Sequence, residues 1–321
     1  MADSLKVLVV LPVNDIQKSR LEQQGKDYIF DYVAKKDLTD SMVTDADIII
    51  GNVPPKMIHA SPKLKLFQLN SAGANEYITP GILSKDTILA NATGAYSKTV
   101  AEHALALTLS LMKKLYMYRD NQRSSKWMDL GTVSSFDGAV VAVVGFGDIG
   151  QYYAKLAKAF GAYIIGVKRR PGEKPECADE LYDTSALKDV LKRADIVFSI
   201  LPETPSTVHL YTKDLFDAMK SSAIFINCGR GSVVAGSVLY DALSSHVISA
   251  AAIDVCEQEP LPADSPLWAL DNLFITPHVA GGYHLPDTLD KIVDIAAYNL
   301  MAYQKNMPVK NAVDFSTGYK K

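Results

Sequence analysis

Three residues able to bind and protonate an organic acid stand at matching places along the chain. Arg230 lies in Cys228-Gly229-Arg230-Gly231, just past an apolar run over 223–228. Glu259 lies in Asp254-Val255-Cys256-Glu257-Gln258-Glu259-Pro260, past a run over 250–255. His278 lies in Thr276-Pro277-His278-Val279-Ala280-Gly281-Gly282, past 274–276. A guanidinium holds a planar carboxylate with a fork of N–H donors, and an imidazole can pass a proton near neutral pH. If the runs are strands of one parallel sheet, all three groups reach the carboxyl edge, where open α/β sheets bind ligands. Taken singly, each has an ordinary alternative: a turn residue, an acid at a helix start, a capped surface histidine. Together they weaken those alternatives.

A cofactor element for that edge lies in residues 139–170. An apolar run over 139–144 reads as a strand buried on both faces. Gly145-Phe146-Gly147-Asp148-Ile149-Gly150 follows, then a helical pattern with Tyr153, Leu156, Ala157 and Phe160 on one face and Gly161 at its end. A second run over 162–167 completes strand, turn, helix and strand. Gly145 permits the turn, Gly147 admits a pyrophosphate against bare backbone, and Gly150 lets helix and strand pack closely. The helix start then offers free N–H groups to phosphate. Where an acid would hold a ribose 2′-hydroxyl, the chain has Lys168-Arg169-Arg170-Pro171, with no acid before Glu173. Cations suit a 2′-phosphate, so NADP(H) is preferred, with NAD(H) the alternative.

Around these elements the chain alternates strands and helices. Runs over 6–11, 28–33, 47–50 and 64–69 read as strands, with a helix through Arg20 and Leu21 after the first. Asn70-Ser71-Ala72-Gly73-Ala74-Asn75 ends the fourth, and its small residues either expose N–H groups to a carboxylate or form a plain turn. Residues 99–118 read as one long, largely buried helix joining two layers, with His103 packed or interfacial rather than catalytic. Residues 121–135 are polar around Trp127 and read as an exposed crossing segment. Beyond the cofactor element come a helix over 184–193, a strand over 195–201 and the loop 202–207 at its carboxyl end. Strands over 222–227, 249–255 and 272–276, a helix over 237–243 and a long helix over 287–303 follow. The pattern is α/β with parallel sheets.

The length of 321 residues suits two domains, and a net charge of −3 gives no reason to expect nucleic acid or anionic membrane as partner. Three widely spaced cysteines, Cys177, Cys228 and Cys256, form neither a disulfide framework nor a metal site and fit a reducing compartment. No apolar run reaches transmembrane length. Met1-Ala2-Asp3-Ser4 carries no basic signal region and Tyr319-Lys320-Lys321 is no peroxisomal address, so the cytoplasm is the expected location.

The cofactor loop, NCGRG, DVCEQEP and TPHVAGG, in that order, resemble the D-isomer-specific 2-hydroxyacid dehydrogenase family over essentially the whole chain. The resemblance implies two Rossmann-like domains: a substrate domain from residues 1–98 and 287–321, and a cofactor domain, 99–286, inserted into it and pairing as a homodimer. It makes Arg230 the substrate-binding arginine, Glu259 the acid supporting the histidine, and His278 the acid/base. It assigns Ser71, Ala72 and Gly73 to the substrate carboxylate. It places Thr99, Gly145, Phe146, Gly147, Asp148, Ile149, Lys168, Arg169, Arg170, Leu201, Pro202, Thr207, Cys228, Gly229, Asp254, Ala280 and Gly281 at the cofactor, with no metal. The implied activity is reduction of a small 2-oxo acid, such as glyoxylate or hydroxypyruvate, to the D-2-hydroxy acid. An NAD-linked dehydrogenase working oxidatively is one alternative. A nucleotide-sensing binding protein like the related corepressors is another, against which the lack of long disordered termini argues. Glu259 in place of glutamine points away from formate oxidation, and the end at Lys321 points away from a long regulated phosphoglycerate dehydrogenase. Substrate preference would rest on the loops 53–55 and 71–77, on Tyr96 and Tyr283, and on a partner's Trp127.

Overall fold

The computed structural model describes residues 4–25, 27–58 and 61–315. In chain order its first elements are β1 (Lys6–Val9), α1 (Asp15–Gln24), β2 (Ile29–Tyr32), α2 (Asp40–Asp45), β3 (Ile48–Ile50), α3 (Pro55–Ile58), β4 (Leu66–Gln68) and β5 (Ile88–Ala90). Next come α4 (Ser97–Met112), α5 (Leu115–Arg123), β6 (Val140–Val144), α6 (Asp148–Ala159), β7 (Tyr163–Val167) and β8 (Glu180–Tyr182). The chain continues through α7 (Leu187–Arg193), β9 (Ile196–Ser199), α8 (Lys213–Asp217), β10 (Ile224–Asn227), α9 (Gly236–Ser244), β11 (Ala250–Ile253), β12 (Leu273–Ile275) and α10 (Pro286–Gln304). Two compact units result, Met1–Tyr96 with Tyr283–Lys321, and Ser97–Gly282. The divisions fall at 96/97 and 282/283, beside the expected 98/99 and 286/287; the first coincides with the start of α4.

The first unit holds a parallel sheet of order β2-β1-β3-β4-β5. Alternate residues of each strand face opposite ways. Val7, Val9, Ile48 and Ile50 therefore pack toward Leu21 of α1 and Ile292, Val293 and Ala296 of α10, while Leu8, Ile49 and Phe67 pack with Ile58 and Tyr77 on the other face. Both faces are covered, which is why the strands read as unbroken apolar runs. A capping box starts α1: Asn14 Oδ1 accepts from the Gln17 N–H at 3.0 Å and Gln17 Oε1 from the Asn14 N–H at 3.0 Å.

The second unit is a doubly wound parallel sheet of order β12-β11-β10-β9-β6-β7-β8. The chain runs outward from β6 through β7 and β8, then returns to β9 on the opposite side. The switch point between β6 and β9 opens a crevice at the carboxyl ends of the strands.

The structure departs from the sequence reading in several places. β5 and β8 lie in segments where no strand was expected. The helix expected over 99–118 is two: it breaks at Lys114, whose φ is 55°, and α5 then runs on to Arg123. Lys113 Nζ donates to the Ser134 carbonyl at 2.6 Å and Lys114 Nζ to the Leu130 carbonyl, so the break is held by the segment that follows. Phe160, expected on the buried face of α6, is 49% exposed and meets the ring of Phe136.

On the far edge, Arg193 grips the carboxylate of Glu180 through both guanidinium nitrogens. That hydrogen bonding, with a further one from Tyr182, holds the Glu180 carboxyl down at about 2 from an ordinary 4.5. A depressed carboxyl stabilises the fold above its unfolded value and loses that contribution as pH falls through the folded one. The Tm advantage of the protein over Glu180→Gln should therefore be full above pH 4.5 and shrink toward pH 2. Thermal melts at stepped pH read it directly.

Candidate active site

The loops leaving β9, β10 and β11 are stacked at backbone contact, and glycine makes this possible. A Cβ on Gly229 would stand 2.6 Å from the backbone N and O of Leu201, and one on Gly231 1.9 Å from the carbonyl of Cys256. Arg230 sits between these two contacts. Asn227 brackets the turn, accepting from the Gly229 N–H at 3.1 Å and donating to the Arg230 carbonyl at 3.0 Å. The half-buried guanidinium of Arg230 rests on the Gly229 carbonyl at 2.9 Å.

From the β11 loop Glu259 reaches His278. Its Oε2 lies 2.7 Å from His278 Nδ1, and its Oε1 accepts from the Cys256 N–H at 3.0 Å. The ring nitrogen facing the carboxylate is thereby assigned the proton, leaving Nε2 on the side chain's exposed end. His278 has φ 54°, in the left-handed region where a non-glycine residue costs on the order of 1 kcal/mol. Its N–H holds that conformation by donating to the carbonyls of Asp254 at 2.7 Å and Thr276 at 3.1 Å. Asp254, 2% exposed, turns its carboxylate onto the same segment, accepting from Thr276 Oγ1 and from the N–H groups of Val279 and Ala280. This side chain, among those expected at the cofactor, also shapes the loop that carries His278. His103 Nε2 lies 3.0 Å from Thr276 Oγ1 on the same segment.

Sequence reasoning missed the residues that pin this loop from behind. Glu257 accepts from the Gly236 N–H at the start of α9 and meets His209 Nε2 at 2.6 Å; the first of these contacts holds its carboxyl below the usual range. Cys256 is half-buried, and burial together with the charges of Glu259 and Asp254 pushes its thiol up to about 11. That thiol is neutral at physiological pH and a poor nucleophile.

The cofactor loop fits a dinucleotide on geometry. Gly145 has φ 101° and no room for a Cβ, which would meet the Ile200 carbonyl at 2.5 Å; on Gly150 one would meet the Gly145 carbonyl at 2.4 Å. Gly147 is the opposite case, with nothing within 4 Å, an open face over the first turn of α6 where N–H groups lack helical partners. Phe146 cannot offer its ring there: it is fully buried against Gly166 of β7, so only its backbone faces the loop. Cys228 is likewise buried. Lys168 follows β7 half-exposed, with Arg169 and Arg170 exposed beyond it. Thr207 closes the loop after β9 by donating to the Pro202 carbonyl at 2.7 Å, with Leu201 buried beneath. Thr99 Oγ1 donates to the Ala280 carbonyl at 3.0 Å, with Gly281 next in the chain. Among the described residues no cluster of His, Cys, Asp or Glu could hold a metal ion.

In the first unit, Ser71, Ala72 and Gly73 follow β4. The carbonyls of Ser71 and Ala72 accept from the Ala92 N–H at 2.9 Å and from Asn91 Nδ2 at 2.9 Å.

A sequence profile of the D-isomer specific 2-hydroxyacid dehydrogenase NAD binding domain matches residues 105–280. The chain belongs to this family. It is 31% identical to glyoxylate/hydroxypyruvate reductase B of Enterobacter sp. (strain 638), with 98% of each chain covered. A D-isomer specific 2-hydroxyacid dehydrogenase family protein from Aeromonas salmonicida superposes with a TM-score of 0.85 at 30% identity, covering 97% of this chain and 99% of that one. A family member from Xanthobacter autotrophicus Py2, solved in complex with NADPH and MES, gives a TM-score of 0.83 at 27% identity, covering 98% of this chain and 100% of that one. The family's fold accounts for both parallel sheets, and no helix among the described residues is long and apolar enough to cross a membrane.

Proposed function

We propose that the protein reduces a small 2-oxo acid to the D-2-hydroxy acid, using NADPH in preference to NADH. The observation that carries this reading is the 2.7 Å contact between Glu259 and His278 beside a loop that holds Arg230 at backbone contact. A bound nicotinamide supplies hydride to the carbonyl carbon. Arg230 holds and polarises the oxo acid through its guanidinium fork. Negative charge grows on the carbonyl oxygen, and His278 donates the proton from Nε2. Glu259 keeps the ring oriented through Nδ1, and its own carboxylate is steadied by the Cys256 N–H. The N–H groups of Ser71, Ala72 and Gly73 take the substrate's carboxylate.

The phosphates of the cofactor would lie over Gly147, Asp148 and Ile149, and its 2′-phosphate would meet Lys168, Arg169 and Arg170. The NADPH held by the Xanthobacter relative supports this preference. Substituting Arg169 and Arg170 together by serine should raise KM for NADPH roughly a hundredfold or more and change KM for NADH little, since each of the two charged hydrogen bonds lost is worth about 1.5–3 kcal/mol. Pairing as a homodimer through the second unit is supported by Trp127, Met128 and Val133, all exposed on one arm. Three free thiols favour the cytoplasm. The deciding experiment follows NADPH and NADH absorbance in parallel against glyoxylate, hydroxypyruvate and bulkier 2-oxo acids. Turnover with NADPH is expected; no turnover with any of them refutes the reading.

A further inference from the structure

The loop after β4 has an unusual distribution of hydrogen bonds. Every carbonyl from Asn70 to Gly73 is engaged: Asn70 by Tyr96 Oη at 2.6 Å, Ser71 by the Ala92 N–H at 2.9 Å, Ala72 by Asn91 Nδ2 at 2.9 Å and Gly73 by Ser71 Oγ at 2.7 Å. The N–H groups of Ser71, Ala72 and Gly73 donate to no acceptor among the described residues. In a trans peptide the C=O and the next N–H point in opposite directions. Fixing three successive carbonyls on the protein side therefore aims the three following N–H groups the other way, as an anion-binding concavity requires.

Asn52 ties this arrangement together from the loop after β3. Its N–H donates to Asn70 Oδ1 at 2.6 Å, and its own Oδ1 accepts from the Asn70 N–H at 2.9 Å, so the two asparagines interlock backbone to side chain. Its remaining donor, Nδ2, reaches Ser71 Oγ at 3.0 Å, which turns that hydroxyl's proton toward the Gly73 carbonyl. The half-buried amide thus spends both its acceptor and one donor on the two residues that open the loop. Gly51 makes the placement possible, with φ 107°, a conformation L side chains rarely adopt, and a Cβ there would press on the Val10 backbone at 3.1 Å.

We propose that Asn52 is a positioning residue for the substrate: its interlock with Asn70 and Ser71 keeps the three N–H groups convergent on the carboxylate of the 2-oxo acid. The inference rests on the functional reading above and extends it to a side chain that touches neither substrate nor cofactor.

The test compares the full-length protein with Asn52→Ala and Asn52→Asp, using glyoxylate and NADPH, with hydrogen exchange of the Asn70 N–H, the amide that Asn52 Oδ1 holds, as a readout independent of turnover. In Asn52→Ala, KM for glyoxylate should rise about tenfold, with kcat and KM for NADPH changed less than about twofold, and exchange of that amide should quicken. Asn52→Asp keeps the acceptor for the Asn70 N–H but brings a negative charge toward an anionic substrate. It should show slower exchange than Asn52→Ala and yet a higher KM for glyoxylate. Unchanged exchange in Asn52→Ala overturns the interlock, and quickened exchange with unchanged KM for glyoxylate overturns the positioning role. A wild-type protein that turns over no 2-oxo acid brings down the functional reading itself, a failure separate from either.

Discussion

His278→Ala should lower kcat for 2-oxo acid reduction by about a hundred- to ten-thousandfold, the range that a positioned general acid contributes. Binding of NADPH, followed by fluorescence titration, should stay within a few fold of the parent protein, because the glycine loop and α6 are built from residues of other strands. The size of the loss follows from how the ring is held. One nitrogen is fixed at 2.7 Å from Glu259, the backbone is locked at φ 54°, and Asp254 organises the residues on both sides. So much structure committed to one imidazole marks a group whose exact aim matters. Glu259→Gln keeps the size of that neighbour but removes its charge. It should lower kcat by a smaller factor than His278→Ala, because the ring stays in place while the charged hydrogen bond that orients it is weakened. Turnover of His278→Ala near the parent's, or an unchanged kcat for Glu259→Gln, would refute these roles.

Much of this arrangement can be read from the chain before any coordinates. Buried parallel strands are apolar on both faces, so β1 and β3 of one sheet and β6, β9, β10 and β11 of the other stand out as short Val-, Ile- and Ala-rich runs, and within each sheet the residues just past the strands fall on its carboxyl edge. What stays hidden depends on contacts distant in sequence. Ile88-Leu89-Ala90 and Glu180-Leu181-Tyr182 are too short to carry a period, and only their neighbours make them strands. The pair Lys113-Lys114 has good helix propensity, yet the helix breaks there because carbonyls of residues 130 and 134 lie within its reach. A motif gives Phe146 a place in the cofactor loop but does not tell that its ring faces inward onto Gly166. Nor does it tell that Asp254 works on the loop of His278. Asn52 carries no signal beyond being polar after a strand; its meaning comes from Asn70, which only the pairing of β3 with β4 brings near.

Gly231→Ala should be the most damaging change outside the reacting groups. Its Cβ would lie 1.9 Å from the Cys256 carbonyl, a backbone atom that cannot rotate away, so the loops of β10 and β11 must separate. Such overpacking costs about 1–3 kcal/mol, a Tm decrease of roughly 2–5 °C for a chain of this size. Activity should suffer more than stability. Arg230 is the residue before this glycine, and Cys256 provides the N–H that steadies Glu259. Parting the loops therefore moves the guanidinium and the carboxylate relative to each other, and a displacement near 1 Å costs about a hundredfold in rate. Gly172→Ala, where a Cβ meets nothing within 4 Å, is the matched control and should leave both Tm and kcat/KM unchanged. If Gly231→Ala melts and turns over like that control, the two loops are not braced against each other, and the geometry assigned to Arg230 and Glu259 loses its support.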